Sequence, residues 1–388
     1  MIELYSSPEE CCGCSACASI CPQAAISFKD TKKGFLYPET DESKCVECGL
    51  CIKACDFKKF KPTGKKPDTF AVRHKDENEV ATSRSGAVFA AMCKEITARG
   101  GVCFGCELDQ ELTVVHKMEE SYEGCLKYKG SKYVQSDMKD CFKQCEEQLQ
   151  ENKWVLFSGT GCQTHGLLTF LKNKNINLDK LITVDIVCHG VPSPGIWKNY
   201  IDVYQTKLGQ PFTSLDFRDK QTNGWQAHIE KYTTAEGKTF NNNQWAQMYY
   251  RHIMFRDSCF ACPYTTTERL SDFTIADYWE IGNNAPEFDD DKGCSLVLVH
   301  TDKAKKFFED IKQVLHTKQT KIESSMQPQM IKPVWKGWDY GLFWKSYTKN
   351  PDKCIKNWFF PSKATLMFRE CEKQAKKIIK KTLKLINR

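Results

Sequence analysis

Five cysteines crowd into residues 11–22, CCGCSACASICP, and a proline follows the last of them. Thiols this dense serve disulfides, zinc or iron. The chain holds 22 cysteines in 388 residues. Disulfide staples belong to exported chains and to domains too small to bury a core. Here Met1 is followed by IELYSSPEE, not by a basic segment and an apolar run. The expectation is a cytoplasmic protein whose thiols do metal or redox chemistry. Spacing then separates the metals. Cys11, Cys14, Cys17 and Cys21 with Pro22 spell C-x2-C-x2-C-x3-C-P. Cys45, Cys48, Cys51 and Cys55 repeat the internal spacing, each 34 residues after its counterpart. Zinc usually takes its ligands as two separated pairs, whereas three thiolates this close wrap three corners of one iron–sulfur cube.

In the bacterial ferredoxin run the fourth cysteine serves the other cluster. The expected ligand sets are therefore Cys11, Cys14, Cys17 and Cys55, and Cys45, Cys48, Cys51 and Cys21. Cys12 is off register and reads as a bystander. The second run ends Cys-Asp where the first ends Cys-Pro, which removes no ligand.

A module of this kind only carries electrons, so the remainder must say where they go. Residues 61–67, KPTGKKP, read as a linker. Beyond it, GAVFAAMCKEITARGG (86–101) reads as a helix and VCFGC and LTVVH as strands. KDCFKQCEEQLQENK is helical in pattern, KWVLFSG a buried strand, HGLLTFLKNK a helix and LITVDIVCHG a further buried strand. This alternation is that of a layered α/β domain. The expected organisation is α/β (α+β overall): a two-cluster ferredoxin domain over 1–62, a catalytic domain over 68–362, and a C-terminal helix over 363–388.

Three turns carry small polar residues where a helix should begin: SRSGAVF (83–89), KGSKYVQS (129–136) and FSGTGCQ (157–163). Such turns either cradle phosphate through backbone N–H groups or simply cap helices. None is a GxGxxG or Walker loop. Cys162 and Cys188 follow buried strands, and Cys259 with Cys262 forms a CxxC before Pro263. These four thiols could hold a third cluster at the strand ends. Zinc or small buried hydrophobes are the rival readings. Cys93, Cys141, Cys145 and Cys371 sit on expected helices and take that last reading.

Residues 83–300 resemble the coenzyme F-420 hydrogenase/dehydrogenase beta-subunit family, which includes the plant 7-hydroxymethyl chlorophyll a reductases. The resemblance rests on SGAVF, GSKYVQS, VLFSGTGCQ, VDIVCHGVPSP, FRDK with GW soon after, SCFACPY and SDFTIADYW. It implies an iron–sulfur flavoprotein that binds FAD in the serine- and glycine-rich turns. Carried over by motif, the flavin contacts are Ser85, Gly86, Ser131, Lys132, Tyr133, Gln135, Ser158, Gly159 and Thr160. It also strengthens the third cluster on Cys162, Cys188, Cys259 and Cys262. Two departures touch the implied pocket. The chain has Gly161-Cys162-Gln163 and Thr164-His165-Gly166 where the family has PCQ and I-A-G, and Trp279-Glu280 where it has W-G.

His165 and His189 each lie close to a proposed cluster cysteine. Either could protonate a reduced substrate or a flavin nitrogen, or be a hydrogen-bonded structural histidine; His116 takes the latter reading. Asp272 and Asp277 flank FTIA and read as loop or edge carboxylates. Residues 363–388 hold nine Lys or Arg and two Glu, an excess equal to the +7 of the whole chain. The body is thus near neutral, and nucleic acid is not an expected partner. The tail pattern is a basic amphipathic helix, suited to an anionic membrane surface at the inner face, an acidic ferredoxin, or packing on the body. The functional expectation is an oxidoreductase in which ferredoxin or another low-potential donor feeds the clusters, and FAD acts on a small organic substrate. The alternatives are a coenzyme F-420 dehydrogenase/reductase and a non-catalytic electron-transfer subunit.

Overall fold

The computed structural model describes residues 2–57 and 59–362. The expected tail helix over 363–388 lies outside the described residues. In the N-terminal segment the duplication read from the cysteines recurs in the backbone. Gly13 and Ser15 take left-handed φ of 71° each, and their counterparts Glu47 and Gly49 take 53° and 74°. Short helices Ala16–Ser19 and Leu50–Lys53 follow at matching places. Between the runs an antiparallel hairpin joins β1 (Ile26–Asp30) to β2 (Leu36–Thr40), with Ile26 opposite Thr40.

The body contributes β3 (Asp68–His74), β4 (Val102–Leu108), β5 (Val114–Glu119), β6 (Val155–Thr160), β7 (Leu181–Ile186), β8 (Phe212–Asp216), β9 (Glu230–Thr234), β10 (Thr239–Asn242), β11 (Phe273–Asp277), β12 (Ser295–Val299) and β13 (Leu315–Thr320). Eight of these form one sheet in the order β13-β3-β12-β11-β7-β6-β4-β5. Its centre, β4, β6, β7 and β11, is parallel, and its flanks are antiparallel. Central parallel strands are covered on both faces and so read as continuous apolar runs. Leu156 and Phe157 of β6 are both buried and point to opposite layers. One layer is helix Val88–Ala98 with helix Asp302–Lys312. The other is helix Cys141–Gln150 with helix Gly161–Asn173.

The α/β architecture expected from the sequence is therefore present, and its helices and strands fall where the periodicity placed them. The ferredoxin-like segment is not a free appendage. Ala16, Ile20, Cys51 and Ala54 pack into the same core as Phe142, Phe157 and Phe170. A second core, unread in the sequence, is aromatic: Trp197, Tyr200, Trp245, Phe343 and Trp344 join helices Pro194–Leu208, Gln244–Tyr249 and Tyr340–Lys349 over the small sheet β10-β9-β8. Among the described residues no helix is long and apolar enough to cross a membrane.

Candidate functional site

The crossed cysteine sets come together as their spacing requires. Burial raises the Cys17 thiol, and Cys14, Cys11 and Cys55 raise it further, so those four share one place. Cys51 is raised by burial, with smaller contributions from Cys48 and Cys21. Cys21, Cys45, Cys48 and Cys51 line one small cavity under Ile2 and Pro22. This second set is the outer one, since Cys48 is exposed and Val46 beside it is 62% exposed. Thiols held neutral by burial and mutual repulsion become ligands only when a metal charge offsets them.

The inner set carries a cation. Arg256, 1% exposed, donates from Nε to the Cys11 carbonyl at 2.7 Å and from Nη2 to the Cys11 sulfur at 3.5 Å. Its Nη1 donates to the carbonyl of Leu36 and to the side-chain oxygen of Gln135, and its guanidinium lies 3.9 Å from the centre of the Tyr37 ring. Gln135 in turn donates to the Cys12 carbonyl at 2.9 Å. Gln135, assigned by resemblance to the flavin, thus serves the inner cysteine set.

The four later cysteines also converge. Burial pushes the Cys262 thiol up to about 12, with Cys162 and Cys188 adding to the rise, and Cys259 is raised by burial and then by Cys188, Cys262 and Cys162. Cys162 starts helix Gly161–Asn173 at the carboxyl end of β6, and Cys188 follows the end of the adjacent β7. Backbone N–H groups of Gly190 and Val191 point at the sulfurs of Cys188 (3.3 Å) and Cys259 (3.5 Å), and the Thr160 hydroxyl is 3.1 Å from the Cys162 sulfur. N–H···S contacts of this kind tune iron–sulfur centres. The bystander reading of Cys12 needs correcting. Its buried thiol hydrogen-bonds with both Cys14 and Cys162, so it stands between the inner set and the later one. Gly166 lets the two approach, because a Cβ there would meet the Cys14 sulfur at 2.8 Å.

Beyond Cys188, the carboxyl ends of β7 and β11 open onto a cationic and aromatic region. Arg218 donates from Nη1 to Asp277 at 2.7 Å and to the Tyr133 hydroxyl at 3.3 Å, and its guanidinium lies 5.4 Å from the Trp279 ring centre. Burial opposes the Arg218 charge, but Tyr133 and Asp277 more than restore it. Arg84 donates to the carbonyls of Arg218 and Trp225, while its Nε is buried with no partner among the described residues. Burial lowers Arg84, and the neighbouring Arg218 lowers it further. Lys220 falls to about 8, through burial and then repulsion by Arg84. Three cations crowd here with Asp277 as a bonded counter-charge, and one N–H is unused. That donor set fits a buried anion such as a pyrophosphate. Trp225 and Trp279 stack at 5.2 Å, and His228, Tyr250, Tyr249, Tyr133 and His189 continue the aromatic wall. The sequence reading used FRDK and GW as marks of resemblance without giving Arg218, Lys220 or Trp225 a role. Arg84 went unread because an arginine in a serine-rich turn looks like a solvated charge.

The remaining expected contacts divide. Tyr133 lies in this wall, and Ser85 borders the cationic cluster through its carbonyl, 3.4 Å from the Lys220 nitrogen. The Lys132 ammonium bonds the carbonyls of Lys127 and Lys129, and Ser131 beside it is exposed. The Ser158 hydroxyl is engaged by the Phe104 carbonyl, and Gly159 packs against Gln163. Thr160 caps helix Gly161–Asn173 through Gln163 and faces Cys162. Gly86 departs from its expected phosphate role. Its N–H is taken by the Ser295 hydroxyl at 3.0 Å, and a Cβ would lie 2.1 Å from the Val72 carbonyl. The glycine is there so that strands can approach.

His165 likewise departs from a catalytic role. It is fully buried, accepts the Leu270 N–H at 3.2 Å, and is packed edge-on by Phe60 and Tyr264. Burial drops it to about 4, so it is a neutral wedge beside Asp56 with no access for substrate. His189 is half-buried, between Cys188 and the aromatic wall, and burial also lowers it to about 4. His116 is structural, donating from Nε2 to the Ser158 carbonyl at 3.0 Å. Asp272 accepts from Thr183 and Thr301 as a buried brace, whereas Asp277 accepts from Arg218 and the Trp225 indole N–H in the cationic cluster.

Residues 152–324 match the family described as the C terminus of the coenzyme F420 hydrogenase/dehydrogenase beta subunit, and residues 10–59 match the 4Fe-4S dicluster domain. An uncharacterized ferredoxin from Methanocaldococcus jannaschii is 41% identical over 46 residues, 12% of this chain and 25% of that protein. The chain thus spans about a quarter of the length of that relative. A chain of the xenon-derivatized F420-reducing [NiFe] hydrogenase complex from Methanosarcina barkeri superposes with a TM-score of 0.47 at 17% identity, covering 76% of this chain and 91% of that one. By its two matched segments the chain is an iron–sulfur electron-transfer protein that is related to the coenzyme F420 hydrogenase/dehydrogenase beta subunit over residues 152–324 and carries a 4Fe-4S dicluster domain at its N-terminal end.

Proposed function

We propose that the protein is an oxidoreductase of a small organic substrate, fed by an external low-potential donor, in which the outer, inner and later cysteine sets would hold 4Fe-4S clusters and the cationic, aromatic region would hold FAD. The observation that carries this reading is the single file of sites. The outer set, with Cys48 exposed, leads to the inner set, Cys12 joins that to Cys162, and Cys188 adjoins Tyr249, which packs on the Tyr133 that bonds Arg218. Flavin, when bound, joins one-electron carriers to two-electron chemistry. The chain's own residues do the rest. Cys162, Cys188, Cys259 and Cys262 would hold the third cluster, with Gly190 and Val191 N–H groups orienting its sulfurs. Arg84, Arg218 and Lys220 supply an anion cradle for the pyrophosphate, and Tyr133, Tyr250 and Trp279 supply flat apolar faces. Our candidate for holding or moving a proton is His189, which packs on Tyr249 and Tyr250 of the aromatic wall.

Anaerobic purification followed by flavin and iron analysis tests this. About one FAD per chain and about twelve iron atoms are expected. A chain that takes up no flavin even when offered FAD, with its clusters intact, overturns it. A second reading, electron delivery to a partner enzyme, is favoured by one observation. Ile331, Trp335, Trp338 and Leu342 are 62%, 65%, 96% and 66% exposed, and apolar surface of this kind marks contact sites. Turnover of a small molecule by the purified chain alone, screened with reduced ferredoxin, NAD(P)H and reduced coenzyme F420, separates the two.

A further inference from the structure

Cys93, Cys103 and Cys125 come from three separate elements. Cys93 lies on helix Val88–Ala98, Cys103 on β4, and Cys125 ends the short helix Tyr122–Cys125. All three are buried, at 1%, 0% and 3% exposed, and their sulfurs lie within 4.8 Å of one another. Alternation along β4 sends Phe104 toward the ferredoxin-like segment and Cys103 into the opposite layer. These thiols are therefore on the other face of the sheet from the electron path, and neither the clusters nor the pocket uses them. An iron–sulfur cube is too large for so tight a set, but a single ion is not. With metal–sulfur bonds of about 2.3 Å, a trigonal site places its sulfurs about 4 Å apart.

We propose that Cys93, Cys103 and Cys125 form a structural site for one thiophilic d10 cation, zinc or cuprous copper, bound through three sulfurs. The surroundings support it. Met92, Ile96, Leu156 and Tyr128 belong to the same buried apolar cluster as the three thiols, and no fourth His, Cys, Asp or Glu joins the group among the described residues. Soft thiolates in an apolar shell select ions of this class. Small buried hydrophobes would need no such convergence. An ion here would tie helix Val88–Ala98 and the 122–125 turn to β4 next to the sheet edge.

The test uses the full chain with its clusters loaded, purified without oxygen. Wild type and Cys93→Ala/Cys125→Ala are offered zinc chloride or a cuprous acetonitrile complex, passed over a chelating resin, and analysed for metals. Wild type should retain about one non-iron ion that the variant lacks, with equal iron in both and an ion-dependent rise in thermal midpoint in wild type alone. X-ray absorption at the retained metal should show sulfur neighbours at three-coordinate bond lengths, and the metal retained names the ion. Cys125→Ser serves if the double variant does not fold, and it should lose the same ion. Equal retention by wild type and variant, or retention by neither, overturns the proposal.

Discussion

Replacing Arg256 by methionine removes a positive charge from beside the inner cysteine set while keeping most of its volume. Its Nη2 lies 3.5 Å from the Cys11 sulfur, and the side chain is 1% exposed, so salt does little to screen it. A unit charge at that distance in an effective dielectric of about 20 interacts by about 5 kcal/mol. An added electron is shared over the whole cluster, so about half of that, ~2.5 kcal/mol, is assigned to the pair. At 59 mV per tenfold change for one electron, the inner cluster of Arg256→Met should become harder to reduce by roughly 100 mV. Removing the fork also leaves the carbonyls of Cys11 and Leu36 without that donor. Each costs about 1–3 kcal/mol of stability. Arg256→Lys separates the two effects, because it keeps the charge and loses the fork. The assay is a potentiometric titration followed by electron paramagnetic resonance, on samples with equal iron. A potential unmoved in Arg256→Met, or moved as far in Arg256→Lys, would refute the electrostatic reasoning.

Cys259→Ser should lose about four iron atoms and keep the signals of the ferredoxin-like pair; unchanged iron means that the later cysteines hold no cluster. Arg84→Gln should fold with full iron and a reduced flavin complement, and a full complement would move the anion site elsewhere. Gly86→Leu should fail to fold soundly rather than fold without flavin, since its Cβ would sit 2.1 Å from the Val72 carbonyl; a wild-type melting temperature would contradict the close approach. Burial drops His116 and His165 to about 4, below the ordinary 6.5. Groups buried neutral contribute stability that is present above the unfolded value of about 6.5 and is lost as pH falls toward 4. The melting temperature should therefore fall on acidification through that window, and His116→Gln should flatten the fall.

The cysteine sets were legible because a cluster's ligands obey a local grammar. Spacing within one turn named Cys11, Cys14 and Cys17, and the same spacing 34 residues on named their counterparts. The central strands were legible for a similar reason, since burial on both faces makes continuous apolar runs such as Val155–Phe157. What could not be read is what the sheet brings together from afar. Arg84 and Arg218 are 134 residues apart and meet only because the turn before helix Val88–Ala98 and the loop after β8 come together near Asp277 at the end of β11. Cys12 was dismissed because it broke the spacing of its own run, yet its thiol reaches Cys162, 150 residues away. Gly86 and His165 fail in the opposite direction. Both sit in motif-like surroundings, and the motif belongs to packing: strand approach for Gly86, and a neutral wedge against the ferredoxin-like segment for His165. The shared core of Ile20, Ala54, Phe142 and Phe170 explains why that wedge matters. The ring of His165, buried between Tyr264 and Phe60, packs the ferredoxin-like segment against helix Gly161–Asn173 without burying a charge there.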